Sequence, residues 1–342
     1  MLTRSKINYN NNNNNNNKIN NITLLNRKRH LNRKKNLFKI LKNEKNYLLN
    51  NNRIGIKNLG NTCFINSIFQ SFLNIKKQFI FEICNNNNCF FCEIQNLFYN
   101  ILMNPNNNKY IIPTSEFLTK ITDIMPFYKK GRQEDAHEFF VYFLSKIQDF
   151  SPHPNSFLAS LPLLFTGSLI SQVKCGKCQF ISSSFEKFTD ISLDILNVNN
   201  LQSSIDDFCH EEILEGDNKY YCEKCRKKTI SFKRVFFDKF PKIFVFHLKR
   251  ADKFQHKIKK YINFNLILNF KNYNIKNKNQ IYNLNSVIIH EGYSINSGHY
   301  LTYCKIKNGN WISYDDIRVE KIKENEILSS TPYMLFYEKV DK

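Results

Sequence analysis

Long apolar runs are missing from this chain of 342 residues: the longest candidates, such as Phe139 to Leu144, are about one strand in length. A membrane-crossing helix needs about 20 such residues, so none is expected. The start, Met1 to Lys6 followed by asparagines, lacks the apolar segment of a secretory signal, and the chain is expected to stay inside the cell. Thiols are kept reduced there, so the ten cysteines are expected as metal ligands, a nucleophile or small buried hydrophobes and not as a disulfide framework. What is present, 42% hydrophobic and 14% aromatic residues, suffices for a real core and excludes wholesale disorder.

Acidic residues are also scarce, 29 against 50 basic ones, but the imbalance is local. Residues 1–53 hold 13 Lys and Arg against the single acid Glu44, a net of +12, and the remaining 289 residues carry only +9. That leader contains uninterrupted asparagine from Asn10 to Asn17 and two basic clusters, Arg27 to Arg29 and Arg33 to Lys35. A low-complexity segment of this kind cannot repay the entropy of ordering, so residues 1–52 are expected as a disordered Asn-rich basic leader. Any nucleic-acid contact or nuclear-import signal is expected only there, with nucleus favoured over cytoplasm.

From Arg53 the texture changes. Gly55 to Cys63 is polar and turn-rich, and apolar residues then recur at Phe64, Ile65, Ile68, Phe69, Phe72 and Leu73 with helical spacing. A loop therefore delivers Cys63 to a helix N-terminus, with Thr62 as the expected N-cap. Exposed N–H groups and the positive end of the helix dipole favour a thiolate there. A second helix is expected over about 133–150, with Phe139, Phe140, Phe143, Leu144 and Ile147 as its buried stripe. His137-Glu138 begins like the zinc-protease H-E-x-x-H pattern, but Val141 stands where the second histidine belongs, which rejects a metalloprotease.

Cys175-Gly176-Lys177-Cys178 and Cys222-Glu223-Lys224-Cys225 are paired C-x-x-C knuckles separated by 43 residues. Four thiolates complete a tetrahedral shell with no open position, the signature of a structural zinc. Cys84, Cys89 and Cys92 are an odd cluster without a fourth ligand and read as core.

The last third reads as sheet, with aromatic or β-branched runs at Ile243 to Leu248, Ser286 to His290, His299 to Ile306, Trp311 to Asp315 and Met334 to Tyr337. A hairpin at Lys307 to Asn310 returns Asp315 and Asp316 beside His299. A three-residue loop, Lys307 to Gly309, puts Asp315 on the His299 face, whereas a two-residue Asn308-Gly309 turn puts Asp316 there; local turn chemistry favours the latter. A cysteine early with a histidine and carboxylate late is the ingredient list of cysteine-dependent acyl transfer. Two other classes compete with it: a basic zinc-ribbon module that binds nucleic acid, and an inactive scaffold.

Gly55-Ile56-Lys57-Asn58-Leu59-Gly60-Asn61-Thr62-Cys63-Phe64-Ile65-Asn66-Ser67 resembles the cysteine box of the ubiquitin-specific proteases. Gln133 to Phe139 resembles their Q-x-D-A-H-E-F segment, and Tyr293 to Tyr300 with Trp311 to Asp316 their histidine box. The family order holds from Arg53 to the end. Departures are conservative at Ile56 and Ile65, and Ala251 replaces the phenylalanine that usually follows Leu248-Lys249-Arg250.

The resemblance implies an α+β, papain-like cysteine protease with a helical thumb (about 53–165), zinc-bearing β fingers (about 166–242) and a β-sheet palm (about 243–342). It implies hydrolysis at the C-terminal glycine of ubiquitin, with ubiquitin and ubiquitinated proteins as partners. Cys63 is the implied nucleophile, His299 the base, Asp315 the orienting carboxylate (Asp316 the alternative) and Asn58 the oxyanion donor; the family position decides for Asp315. Cys175, Cys178, Cys222 and Cys225 are the implied zinc ligands. Ubiquitin's tail carries two arginines and ends in two glycines, so Asp135 and Glu138 are expected to meet the arginines while Glu134 points elsewhere. Gly298 and Tyr300 are expected to form the slot for the glycines.

Overall fold

The computed structural model describes residues 54–75, 90–103, 108–150, 157–306 and 308–340. The basic leader, Cys84 and Cys89 lie outside the described residues; Cys92 is buried, as a core reading requires. Within the unit Asn52–Lys342, helix α1 (Cys63–Ile75) is buried at every position except Asn74. It is wrapped by α2 (Phe90–Met103) and α4 (Ala136–Phe150), with the short α3 (Ser115–Thr119) between these two in sequence and α5 (Phe157–Phe165) after them. Its phenylalanines interlock with theirs: Phe64 meets Phe139 edge-on at 5.5 Å, Phe69 meets Phe98 edge-on at 5.0 Å, and Phe72 meets Phe165 at 5.5 Å.

Strands β1 (Gly55–Ile56) and β2 (Tyr110–Ile111) form a parallel pair, and an eight-stranded sheet backs the helical layer, in the order β15-β14-β13-β12-β16-β10-β5 with β11 added to β12. The strands are β5 (Ile191–Asp194), β10 (Ile243–Lys249), β11 (Ile267–Asn269), β12 (Ile281–Glu291), β13 (His299–Lys305), β14 (Trp311–Asp315), β15 (Arg318–Ile322) and β16 (Pro332–Lys339). The unbroken apolar run in β10 has a plain cause. Ile243 and Val245 face the helical core, and Phe244, Phe246 and Leu248 face a second core closed by Leu201 and Ile205 of α6 (Leu201–Phe208). A sheet covered on both faces needs no polar alternation.

A smaller antiparallel sheet, β4-β3-β9-β6, comprises β3 (Gly167–Cys175), β4 (Ile181–Phe188), β6 (Glu212–Leu214) and β9 (Ser231–Lys239). A hairpin of β7 (Tyr220–Cys222) and β8 (Lys227–Thr229) accompanies it. The range 166–242 is therefore not one finger segment. β5 pairs in parallel with β10, and α6 packs on the large sheet's core, because Ile191, Leu193, Leu201 and Ile205 are apolar where a finger would be solvated. Ala251 is exposed and bridges to Lys257, so its departure from the family pattern falls on the surface and not in the palm core.

Candidate active site

Cys63 opens α1, is 3% exposed, and carries a backbone N–H that no residue of its own helix can accept from. The loop before it is braced by Asn58, whose Oδ1 accepts the Gly60 and Thr62 N–H groups at 3.0 Å each. Thr62 does not cap the helix through its side chain. The left-handed pair Gly60 (φ 97°) and Asn61 (φ 61°) turns the Thr62 hydroxyl back into the loop, where it accepts from Leu59 N–H at 3.0 Å.

His299 begins β13 and Asp315 ends β14. The pairs Thr302–Tyr314 and Lys305–Trp311, continued by Ile306 N–H to Asn310 O at 2.9 Å, establish the three-residue loop. Gly309 supplies the left-handed residue (φ 85°) that a three-residue hairpin needs, which is why the two-residue turn favoured by local chemistry does not form. Asp315 Oδ1 consequently lies 2.6 Å from His299 Nε2, and Asp316 Oδ2 is 4.0 Å away.

Asp316 is committed elsewhere. It leaves the strand at φ 50°, accepts Asn58 Nδ2 at 2.9 Å on Oδ2 and Asn66 Nδ2 at 2.7 Å on Oδ1, and receives Ile56 N–H on its backbone oxygen at 2.9 Å. A Cβ on Gly55 would stand 2.4 Å from that oxygen, so this position admits only glycine. One residue thus ties the loop, the helix and the sheet together, a role visible only once the register is known.

The Cys63 side chain and, after it, Asp315 push the His299 imidazole up to about 9, against the opposing effect of its partial burial. With Nε2 held by Asp315, Nδ1 is the ring nitrogen left for the thiol. A raised imidazole is protonated below about pH 9, so a proton donor is present at neutral pH and is lost as pH rises through that value. Asp315→Asn removes a group that raises this pKa. The expected outcome is an alkaline limb of kcat/KM moved to lower pH, with a fall of roughly 10²-fold at neutral pH. A pH–rate profile whose limb stays at the same pH would contradict the assignment.

Beside this cluster lies a cavity of about 380 Å³ lined by Gln133, Glu134, Asp135 and Glu138 together with residues of the sheet and of the Lys249–Lys257 segment. The helix begins at Ala136, later than expected, because Asp135 caps it: its Oδ1 accepts the Glu138 N–H at 2.9 Å. Its other oxygen accepts the hydroxyls of Tyr333 and, at 3.4 Å, Tyr300. Glu134 does not point elsewhere but lines the same cavity. Burial, then the charges of Asp135 and Glu134, raise the Glu138 carboxyl above its ordinary range. Lys249, Arg250 and Lys257 line the same cavity, so the three carboxylates sit on one wall of a site whose formal charges balance.

Gly298 is half-buried beside His299. A Cβ there would stand 2.2 Å from Glu291 O and 2.3 Å from His290 Nε2, so its glycine answers to internal packing. Gln133 clamps it from outside, accepting its N–H at 2.7 Å and donating to its carbonyl at 2.8 Å. Tyr300 is 5% exposed beneath it. His137 pairs with Asp190 at 2.7 Å and stacks on His247 at 3.9 Å, a structural use that fits the absence of the second metalloprotease histidine.

The four knuckle cysteines converge, their sulfurs within 4.8 Å of one another, with Cys178–Cys222 at 3.6 Å and Cys175–Cys225 at 4.0 Å. Tetrahedral zinc thiolate geometry implies sulfur separations of about 3.8 Å. Each knuckle ends in a left-handed residue, Gln179 (φ 60°) and Arg226 (φ 53°). Hydrogen bonds from Thr229 and then from the Cys178 and Lys177 N–H groups bring the Cys175 thiol down to about 6, while its sulfur neighbours, Cys178 first, push Cys225 up to about 12. A divalent cation relieves that crowding, so the residues fit zinc.

Residues 54–337 match the family model described as ubiquitin carboxyl-terminal hydrolase. The chain belongs to that family. It is 33% identical over 300 residues to ubiquitin carboxyl-terminal hydrolase 20 of Arabidopsis thaliana, covering 83% of this chain and 43% of that protein. It is 32% identical over 299 residues to probable ubiquitin carboxyl-terminal hydrolase 8 of Schizosaccharomyces pombe, covering 83% and 64%. This hydrolase-family chain thus spans less than half the length of the Arabidopsis relative. Among solved structures it resembles a Ubp8/Sgf11/Sus1/Sgf73 SAGA DUB module bound to monoubiquitin, with TM-score 0.73, 27% identity, and coverage of 85% of this chain and 70% of that one. A Ubp8 module bound to ubiquitin aldehyde gives TM-score 0.70 at 26% identity, with the same coverages.

Proposed function

We propose that this chain is a cysteine-type deubiquitinase that cleaves the bond following the C-terminal glycine of ubiquitin. The observation that carries this reading is His299 set between Cys63 and Asp315, with Asn58 braced beside them. Cys63 sulfur attacks the glycine carbonyl. His299, which already holds the proton at neutral pH, gives it to the departing lysine amine as the carbon–nitrogen bond breaks. Water then hydrolyses the thioester by the same base.

Asn58 has one Nδ2 hydrogen on Asp316 and its oxygen on the loop amides, which leaves the second Nδ2 hydrogen to join the Cys63 N–H on the oxyanion. Glu134 and Glu138, on the carboxylate wall of the cavity, are the acceptors offered to the arginine-bearing tail of ubiquitin, while Asp135 is committed to the helix cap and to Tyr300 and Tyr333. Cys175, Cys178, Cys222 and Cys225 would hold zinc, which would supply a structural cross-link and no catalytic position.

Ubiquitin carrying a fluorogenic amide at its C-terminus tests the function. The expected result is thiol-dependent turnover by the purified full chain, and a folded protein inert to this substrate would contradict it. No helix among the described residues is long and apolar enough to cross a membrane. The clusters Arg27 to Arg29 and Arg33 to Lys35 favour residence in the nucleus, and a fluorescent fusion that stays outside it would refute this.

A further inference from the structure

The loop between β12 and β13, residues 292–298, returns the chain from His290 and Glu291 to His299. Its two strands pair His290 with Tyr300 and Glu291 with His299, so the position of the His299 backbone is inherited from the end of β12. The loop is closed to van der Waals limits: a Cβ on Gly292 would stand 2.3 Å from Ser297 O. Gln133 holds one side of it through Gly298. The other side is held by Lys257.

The Lys257 ammonium donates to Gly292 O at 3.0 Å, to His290 O at 2.9 Å and to His290 Nδ1 at 3.1 Å. An ammonium has three hydrogens and no acceptor, so these three bonds use it fully and require Nδ1 to be a lone pair. The His290 proton therefore resides on Nε2, the atom that faces Gly298. Burial, reinforced by the Lys257 charge, holds His290 down to about 4, and the ring is neutral at pH 7. Its face stacks on Tyr300 at 4.5 Å.

Lys257 does not hang from a loose loop. Ile258 N–H donates to Arg250 O at 2.9 Å, and the Arg250 guanidinium, 5% exposed, donates to Ile258 O at 3.0 Å, Lys260 O at 2.9 Å and Pro332 O at 2.7 Å. At the turn, Asp252 Oδ1 accepts the Phe254 and His256 N–H groups at 2.8 Å each. A stiff ribbon thus presents one ammonium to the segment that leads into the base.

We propose that Lys257 is a positioning residue for His299: by fixing the tautomer of His290 and pinning Gly292, it holds the start of β13 where the imidazole meets Cys63 and Asp315. The kinetic consequence rests on the deubiquitinase reading; the tautomer does not. Misplacing a reacting group by about 1 Å costs up to about 10²-fold in rate.

The test is Lys257→Met, of similar length and without the ammonium, made in the full chain. Nitrogen–proton correlation spectra of the imidazoles, recorded without substrate, are expected to show His290 as the Nε2–H tautomer in the native chain and as a mixture in the variant. With the ubiquitin substrate, kcat is expected to fall about tenfold at unchanged Tm, and Lys257→Arg, which also only donates, to retain most of it. An unchanged His290 tautomer, a kcat within twofold of native, or a loss that tracks a lowered Tm and is not rescued by arginine would each overturn the proposal. If the native chain is inert to ubiquitin, the tautomer still reports on the clamp, so failure of the two readings is distinguishable.

Discussion

Cys63→Ala is expected to abolish hydrolysis of ubiquitin substrates, by at least roughly 10⁴-fold and toward the ~10⁶-fold seen when the nucleophile of a cooperating triad is removed. The change deletes one buried sulfur at the start of α1 and leaves the loop bonds of Asn58 in place, so the stability cost is about 1 kcal/mol. Ubiquitin binding is expected to survive, because the cavity beside the cluster does not include Cys63. The same variant carries a second readout. Cys63 is the largest influence raising His299, so its loss lowers the imidazole below its native value of about 9. An NMR titration of His299 measures this directly, and a variant retaining turnover above a few per cent would remove Cys63 from the mechanism.

Loss of the metal is expected to have the largest effect on stability. The ion would join the end of β3 to the β7–β8 hairpin, which Cys175 Sγ–Thr229 Oγ1 at 3.3 Å, Gly176 N–H to Ile230 O at 3.0 Å and the β3–β9 ladder ending at Cys175–Ser231 also connect. Structural zinc contributes about 10–16 kcal/mol of apparent binding energy in small finger peptides. In a catalytic unit of this size each kcal/mol moves Tm by about 2–4 °C. Even partial retention of the fold without metal therefore predicts a drop on the order of 10 °C for Cys222→Ser or after strong chelation. Metal analysis is expected to find one zinc per chain, and a metal-free protein with native Tm and activity would refute the site.

Much of the catalytic geometry was readable from residue order because each element declares its own period. The helical spacing after Cys63 places the thiol at a helix start, the apolar runs around His299 and Trp311 place base and acid on adjacent strands, and four cysteines in two knuckles converge as spacing requires. The choice between Asp315 and Asp316 was not readable locally. Asn308-Gly309 favours a tight turn, but the ladder closes at Lys305–Trp311 and Ile306–Asn310, and Gly309 takes the left-handed conformation of the longer loop. Contacts between residues distant in sequence were equally hidden. Asp316 reaching Asn58 and Asn66, Lys257 reaching His290, and Gly298 lying against Glu291 depend on tertiary packing that no periodicity encodes. Glu134 is hidden in a similar way: it precedes the helix, which begins at Ala136 behind the Asp135 cap, so helical spacing does not govern it and it lines the cavity with Glu138.

The most direct test is a ubiquitin probe bearing a C-terminal electrophile, incubated with the full chain and resolved by peptide mass spectrometry. One ubiquitin per chain is expected, attached at Cys63, with no adduct in Cys63→Ala and slower labelling in Asp315→Asn. A folded, zinc-replete protein that remains unlabelled, or that carries the adduct on another cysteine, would contradict it.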